Sequence, residues 1–187
     1  YVQATIAKDK TNSDKWYADL DLADIGLKNN WQQEKLNTAE WKSVQIPGFL
    51  KEQGSDFTNG AVWVRKTFEL TPAQAAKKAT LWLGCIVDGD QVYVNGQLVG
   101  NTGYQYPPRI YAIPASVLKA GANSISVRIT SYSANAGFVK DKRYALLLGE
   151  GVFGDESIDL KGEWKYQIAA RAGSMQHRTR AEKQERF

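Results

Sequence analysis

The chain is poor in the residues that most often do chemistry. Its 187 residues include one cysteine, Cys85, one histidine, His177, and one methionine, Met175. A single cysteine forbids an internal disulfide, and one cysteine with one histidine cannot assemble a zinc site from those ligands. Cys85 lies within the apolar stretch 81–87, where it reads as a small buried hydrophobe rather than a nucleophile. His177 falls in a polar stretch far from any predicted strand end, which makes it a poor general base, and no Gly-x-Ser-x-Gly elbow accompanies it. No glycine-rich loop leads into a lysine and a helix. No apolar run approaches the roughly 20 residues that a membrane helix needs. The residues therefore predict no catalytic group, no cofactor and no membrane partner.

An excess of positive charge is also nearly missing where it would count. The chain carries 24 Lys+Arg against 20 Asp+Glu, a net charge of +4. Residues 171–187 hold five basic and two acidic side chains, so that stretch is +3 and the other 170 residues are 19 − 18 = +1. A nucleic-acid domain concentrates basic residues on one face interleaved with aromatics. Here most of the excess lies in a terminal segment almost free of apolar residues, which excludes a nucleic-acid reading. That segment reads as a disordered or appended end. The chain starts at Tyr1 and its one methionine is Met175, which reads as a mature chain or an excised domain.

What is present is a β-type texture. Residues 1–30 are polar, with Trp16, Leu20, Leu22, Ile25 and Leu27 as sparse apolar points, and read as a lead-in with at most one short helix. From residue 41 onward, short apolar or alternating runs are broken by Gly, Pro, Asn and Asp. Strands are predicted over 41–46, 61–70, 79–87, 91–94, 97–100, 109–113, 124–132, 143–148 and 163–169. The run 79–87 reads as one strand buried on both faces. Thr71-Pro72 caps a single helical turn, and another turn is expected over 114–119. Asn95-Gly96 supplies the two positive-φ residues of a type I′ hairpin turn. About eight or nine strands with no long amphipathic helix between them predict an all-β, antiparallel β-sandwich over residues 31–170.

Two places invite a binding role. Gly54–Gly60 and Asn101–Arg109 are polar loops, and the second offers Tyr104, Tyr106 and Arg109 without an obvious strand to pack them. These three are the candidate substrate-binding residues, set against the plainer reading that proline-ordered rings cover the sandwich end. Trp63, Trp82 and Trp164 fall at strand positions and are assigned to core packing. Asp88 and Asp90 flank Gly89 just before the hairpin; a turn is the first reading and a calcium site the alternative.

Several segments taken in order resemble a known domain. They are Trp41-Lys-x-x-x-Ile-Pro-Gly48, Gly60-Ala-Val-Trp-Val-Arg-Lys-Thr-Phe68, Leu81-Trp-Leu-Gly84, Asp88-Gly-Asp-Gln-Val-Tyr-Val-Asn-Gly96, Ile113-Pro-x-x-x-Leu-Lys-x-Gly-x-Asn123 and Leu160-Lys-Gly-Glu-Trp-Lys-Tyr166. The order resembles the galactose-binding-like jelly roll at the front of family 2 glycoside hydrolases, and more closely the jelly roll inserted in bacterial sialate O-acetylesterases. The esterase resemblance implies a non-catalytic insert beside an SGNH-type catalytic domain of the same parent chain. That parent would be periplasmic or secreted and would remove acetyl groups from O-acetylated sialic acids, so carbohydrate is the implied ligand. The alternatives are the amino-terminal sandwich of a family 2 glycosidase and a stand-alone carbohydrate-binding module. Neither the Gly-Gln-Ser-Asn block of the esterases nor their later Asp and His block is present, so no catalytic residue is carried over.

Overall fold

A computed structural model describes residues 2–151 and 153–175. The N-terminal stretch is more ordered than its composition suggests: α1 (Val2–Ala23) is a 22-residue helix, followed by the single turn α2 (Ile25–Lys28). The expected short helix is corrected to a long one. The signal was weak because α1 buries only Leu20, so it lacks the broad apolar stripe of a core helix. Lys10–Asp14 and Lys15–Asp19 pairs one turn apart give it some local support.

Among the described residues thirteen strands follow. The main sheet has six, in the order β1 (Lys42–Ile46), β13 (Gly162–Arg171), β3 (Gly60–Leu70), β9 (Gly121–Ser131), β6 (Gly89–Val94) and β7 (Gln97–Thr102). The second sheet has four: β12 (Glu156–Asp159), β11 (Tyr144–Leu148), β4 (Ala79–Leu83) and β8 (Ile110–Ile113). A small third sheet joins β2 (Gly48–Phe49), β10 (Gly137–Phe138) and β5 (Ile86–Val87). Every pairing between these strands is antiparallel. The fold is an all-β sandwich, as the strand pattern predicted.

The core follows from the two-residue period of a strand. On β3, Val62, Val64, Phe68 and Leu70 enter the cluster between the sheets, with Val92, Val94, Ile125, Val127 and Ile129 from the neighbouring strands. Leu81, Leu83, Leu146 and Leu148 close that cluster from the second sheet. Ala61 and Trp63 face the other way and pack with Leu20, Trp41, Ala169 and Ala170, against Trp16, Leu27 and Trp31. The main sheet is thus covered on both faces, inside by the second sheet and outside by the segment from Trp16 to Trp41. That double burial explains why β3 is buried at every position from Gly60 to Arg65.

Asp24 fixes the outer layer. Its buried carboxylate accepts hydrogen bonds from the Gly26 and Leu27 amides, which caps α2, and from Trp63 Nε1 and Arg128 Nε of the sheet. Gly26 lets the turn approach: a Cβ there would sit 2.3 Å from Trp63 Nε1.

Three local expectations change. The run 79–87 is two strands, broken at Gly84, whose φ of +50° and contact with the Tyr144 ring suit no larger residue. Residues 114–119 form a turn without a helix, closed by the Val117 amide on the Pro114 carbonyl. Arg171, counted with the terminal segment, ends β13 opposite Gly60 and pairs with Asp56. The rest of the expectation for that segment, His177 included, concerns residues 176–187, which lie outside the described residues. The Asn95-Gly96 hairpin stands as predicted, with φ of 48° and 84°.

Candidate functional site

One end of the sandwich gathers the polar loops. β3 and β6 begin there, while β7, β9 and β13 end there. Residues 131–134 tie the two loops singled out in the sequence to each other. The Ala134 amide donates to Asn59 Oδ1, Ser131 Oγ donates to the Thr58 carbonyl, and Tyr132 Oη donates to the Gly103 carbonyl.

The three candidate residues of the 101–109 loop part company. Tyr104 and Tyr106 are 55% and 76% exposed and stand on the surface. Arg109 is fully buried, which corrects the expectation that it was free of the sandwich. Its Nε donates to Asp90 Oδ1 at 2.6 Å, Nη1 to the Pro107 carbonyl, and Nη2 to the Ile86 and Asp88 carbonyls. The planar five-donor fork suits this work: one side chain stitches the loop, β5 and the start of β6 together. Arg109 therefore holds the loop that carries the two tyrosines.

The carboxylates are also inside. Asp88 and Asp90 form no turn; Asp90 lies in β6 and Asp88 just before it, both buried. Asp90 accepts from Arg109 through one oxygen and from Tyr111 Oη through the other, while Tyr111 Oη also meets Thr102 Oγ1 at 2.7 Å. Burial raises the Asp90 pKa, and the Arg109 charge opposes that rise. Asp88 Oδ2 accepts the Tyr132 and Ser133 amides. The two groups thus spend three of their four oxygens on protein donors, which is the reverse of what a calcium site needs. Among the described residues no three His, Cys, Asp or Glu side chains come together as a metal site.

A cleft of about 220 Å³ opens between α1 and the outer face of the sheet, lined by Tyr17, Asp21, Gln91, Asn101, Thr102 and Arg128 among others. Asn101, Gln91 and Arg128 are register partners across β7, β6 and β9, so they form one polar row on that face. The phenols nearby stay protonated: burial first, and then the Asp88 charge, raises Tyr17 and pushes Tyr132 up to about 12. The arrangement offers hydroxyl, amide and carboxylate groups that can bind a polyhydroxylated ligand. Its embedded acid is pinned by an arginine, so it is poorly placed for proton transfer.

Tyr17, Asp21, Gln91 and Arg128 went unmarked in the sequence, and Asn101, read there as the start of a loop, lies in β7. The alternation of polar residues on the hairpin was a usable signal for Gln91 and Asn101. Nothing local shows that α1 returns to cover them.

Comparison with known proteins fixes the family. Residues 3–161 match the family described as glycosyl hydrolases family 2, sugar binding domain. The chain belongs to this family. A curated relative with a provisional beta-glucuronidase name, from Formosa agariphila, is 26% identical over 128 residues, which cover 57% of this chain and 12% of the relative. Among solved structures, the Ruminococcus gnavus beta-glucuronidase aligns with a TM-score of 0.52 at 16% identity, over 79% of this chain and 35% of that one. A beta-glucuronidase from an uncultured Clostridium species gives 0.52 at 10% identity, over 78% and 36%. At these identities the structural likeness speaks for the fold alone. The chain spans about an eighth of the curated relative's length.

The match corrects the order of the two resemblances. The esterase parent has no support in the family or in these relatives, and the glycosidase reading placed second is favoured. The motifs behind the resemblance are strand and hairpin signals that any such jelly roll needs, so they could not separate the two parents.

Proposed function

We propose that this chain is the non-catalytic sugar-binding domain of a larger family 2 glycosidase, with a glucuronide-cleaving parent as the leading substrate class. The observation that carries the reading is one of proportion: the family match runs over residues 3–161, nearly the whole described chain, while the named relative is about eight times longer than the segment aligned with it. On this reading the catalytic carboxylates lie in another domain of the same parent, and that domain is the partner of this one. The loop end contributes Tyr104 and Tyr106 as exposed rings for a sugar face, with Arg109 and Asp90 as the buried pair that sets their loop.

The test is to express the uninterrupted reading frame that contains this segment and assay it on p-nitrophenyl β-D-glucuronide, β-D-galactoside and acetate. Glucuronide or galactoside hydrolysis that survives Tyr106→Ala with an altered KM supports the reading. Hydrolysis of the acetate ester alone would return the esterase parent.

A further inference from the structure

A second cleft lies away from the loop end, where the 34–38 segment meets β3 and β13 on the outer face of the main sheet. It encloses about 480 Å³ and is lined by four basic residues, Lys35, Arg65, Lys66 and Lys165, against one acidic residue, Glu34. Glu34 is committed to an ion pair with Lys119, so it neutralises little of the lining.

Arg65 is the unusual member. It is 4% exposed, and its guanidinium donates to two carbonyls, Trp31 O and Glu34 O, rather than to a carboxylate. Among the described residues it has no ion-pair partner. A buried arginine is ordinarily matched by an acid, because carbonyl dipoles do not return the full cost of desolvating the charge. The strain shows in its pKa, lowered by burial to about 10. Lys165 lies directly across from Arg65 in the β3–β13 register, and Lys35 is exposed at the mouth without an ion pair among the described residues. Lys165 shares its ammonium between Glu163, at 3.4 Å, and Ser43 Oγ. Three cations thus converge on one concave surface, where Glu163 balances Lys165 and no carboxylate pairs with Arg65 or Lys35 among the described residues.

The remaining lining limits what the anion belongs to. Asn37, Thr38 and Thr67 add amide and hydroxyl groups beside the cations. The volume is in the range of small-molecule sites, roughly 300–1,000 Å³, and far exceeds the need of a bare inorganic anion. We propose that this cleft is a second ligand site, for a carboxylated saccharide of one or two uronate units, whose carboxylate is taken by Arg65, Lys35 and Lys165 and whose hydroxyls meet Asn37, Thr38 and Thr67. The anionic half of this assignment comes from the cleft itself; the saccharide half rests also on the family reading above.

Amide-resolved NMR of the full chain during titration with D-glucuronate, D-glucose and acetate tests it. Glucuronate shifts the amides of residues 35–38 and 65–67, and D-glucose does not. Acetate shifts the same amides but binds more weakly. Lys35→Gln combined with Lys165→Gln leaves the melting temperature unchanged and weakens glucuronate about tenfold, and high salt weakens it as well. Arg65→Met is the second variant: if it remains folded, its glucuronate shifts at these amides disappear. Equal binding of acetate and glucuronate would overturn the saccharide assignment. Equal shifts with glucose, shifts outside this cleft, or occupation by an acidic peptide in place of glucuronate would overturn the site. None of these outcomes depends on the activity of the parent, so a failed family reading is seen separately in the glycosidase assay.

Discussion

Replacing Asp24 by alanine should loosen the whole outer layer. The Asp24 side chain is fully buried, and its partner Arg128 is 5% exposed, with 2.6 Å between Nε and Oδ2. The substitution leaves that guanidinium with Gln91 and with Asp21, whose side chain is 56% exposed. It also strands the Trp63 indole N–H and removes the cap of α2. Breaking one side of a buried ion pair costs about 3–5 kcal/mol. The lost cap is worth about 1 kcal/mol alone, and the shared partners make the terms overlap rather than add. For a chain of this size each kcal/mol moves the midpoint by about 2–4 °C, so scanning calorimetry should show a fall of roughly 6–20 °C. Asp21→Ala removes an exposed partner of the same arginine and should move it by less than about 4 °C. Adding Arg128→Met to Asp24→Ala should recover part of the loss, because the uncompensated charge is gone. Asp24→Ala melting together with Asp21→Ala, or a double variant less stable than the single, would show that Asp24 does not anchor this layer.

Gly26→Ala tests the same contact by volume. Alanine is the better helix former by about 1 kcal/mol, yet its Cβ would meet Trp63 and Trp31 at 2.3–2.7 Å; overpacking of this kind costs about 1–3 kcal/mol, so the net change in denaturant midpoint should be a loss. The tyrosines set the alkaline limit of the fold. Burial raises Tyr17, Tyr93, Tyr111, Tyr132 and Tyr144 above the usual phenol value, while in the unfolded chain they ionise near pH 10. The unfolded state therefore releases more protons above that pH, and the stability these groups contribute, complete below about 10, declines as pH rises through their folded values. Tyrosinate absorbance at about 295 nm should lag behind that of free tyrosine and then rise with loss of near-ultraviolet dichroism; ionisation of all phenols near pH 10 with the fold intact would contradict the burial argument.

The sandwich was legible because strands and turns are local. Val62, Val64, Phe68 and Leu70 announce β3 by alternation, and Asn95-Gly96 announces the hairpin by the backbone angles it demands. The helix at the front was not legible, since one buried leucine in 22 residues leaves no stripe to read. What docks that segment is Asp24, and a lone aspartate in a polar stretch looks like any solvated charge. The site divided the same way. Tyr104 and Tyr106 were expected on an irregular loop because prolines and glycine mark it, and both are exposed there. Arg109 was placed on the surface because its partner Asp90 is 19 residues away and only the sheet register brings them together. The cleft residues Tyr17 and Arg128 come from segments more than 100 residues apart, a distance over which no local pattern operates.

The proposal stands or falls on whether this chain binds sugar and leaves cleavage to another domain of its parent. Prolonged incubation of the purified 187-residue chain with p-nitrophenyl β-D-glucuronide is its most direct test. Release of p-nitrophenol is expected at the rate of the buffer alone, with or without Asp90→Asn. Saturable turnover that falls to background in Asp90→Asn, in a variant still folded by circular dichroism, would place catalysis in this domain and contradict it.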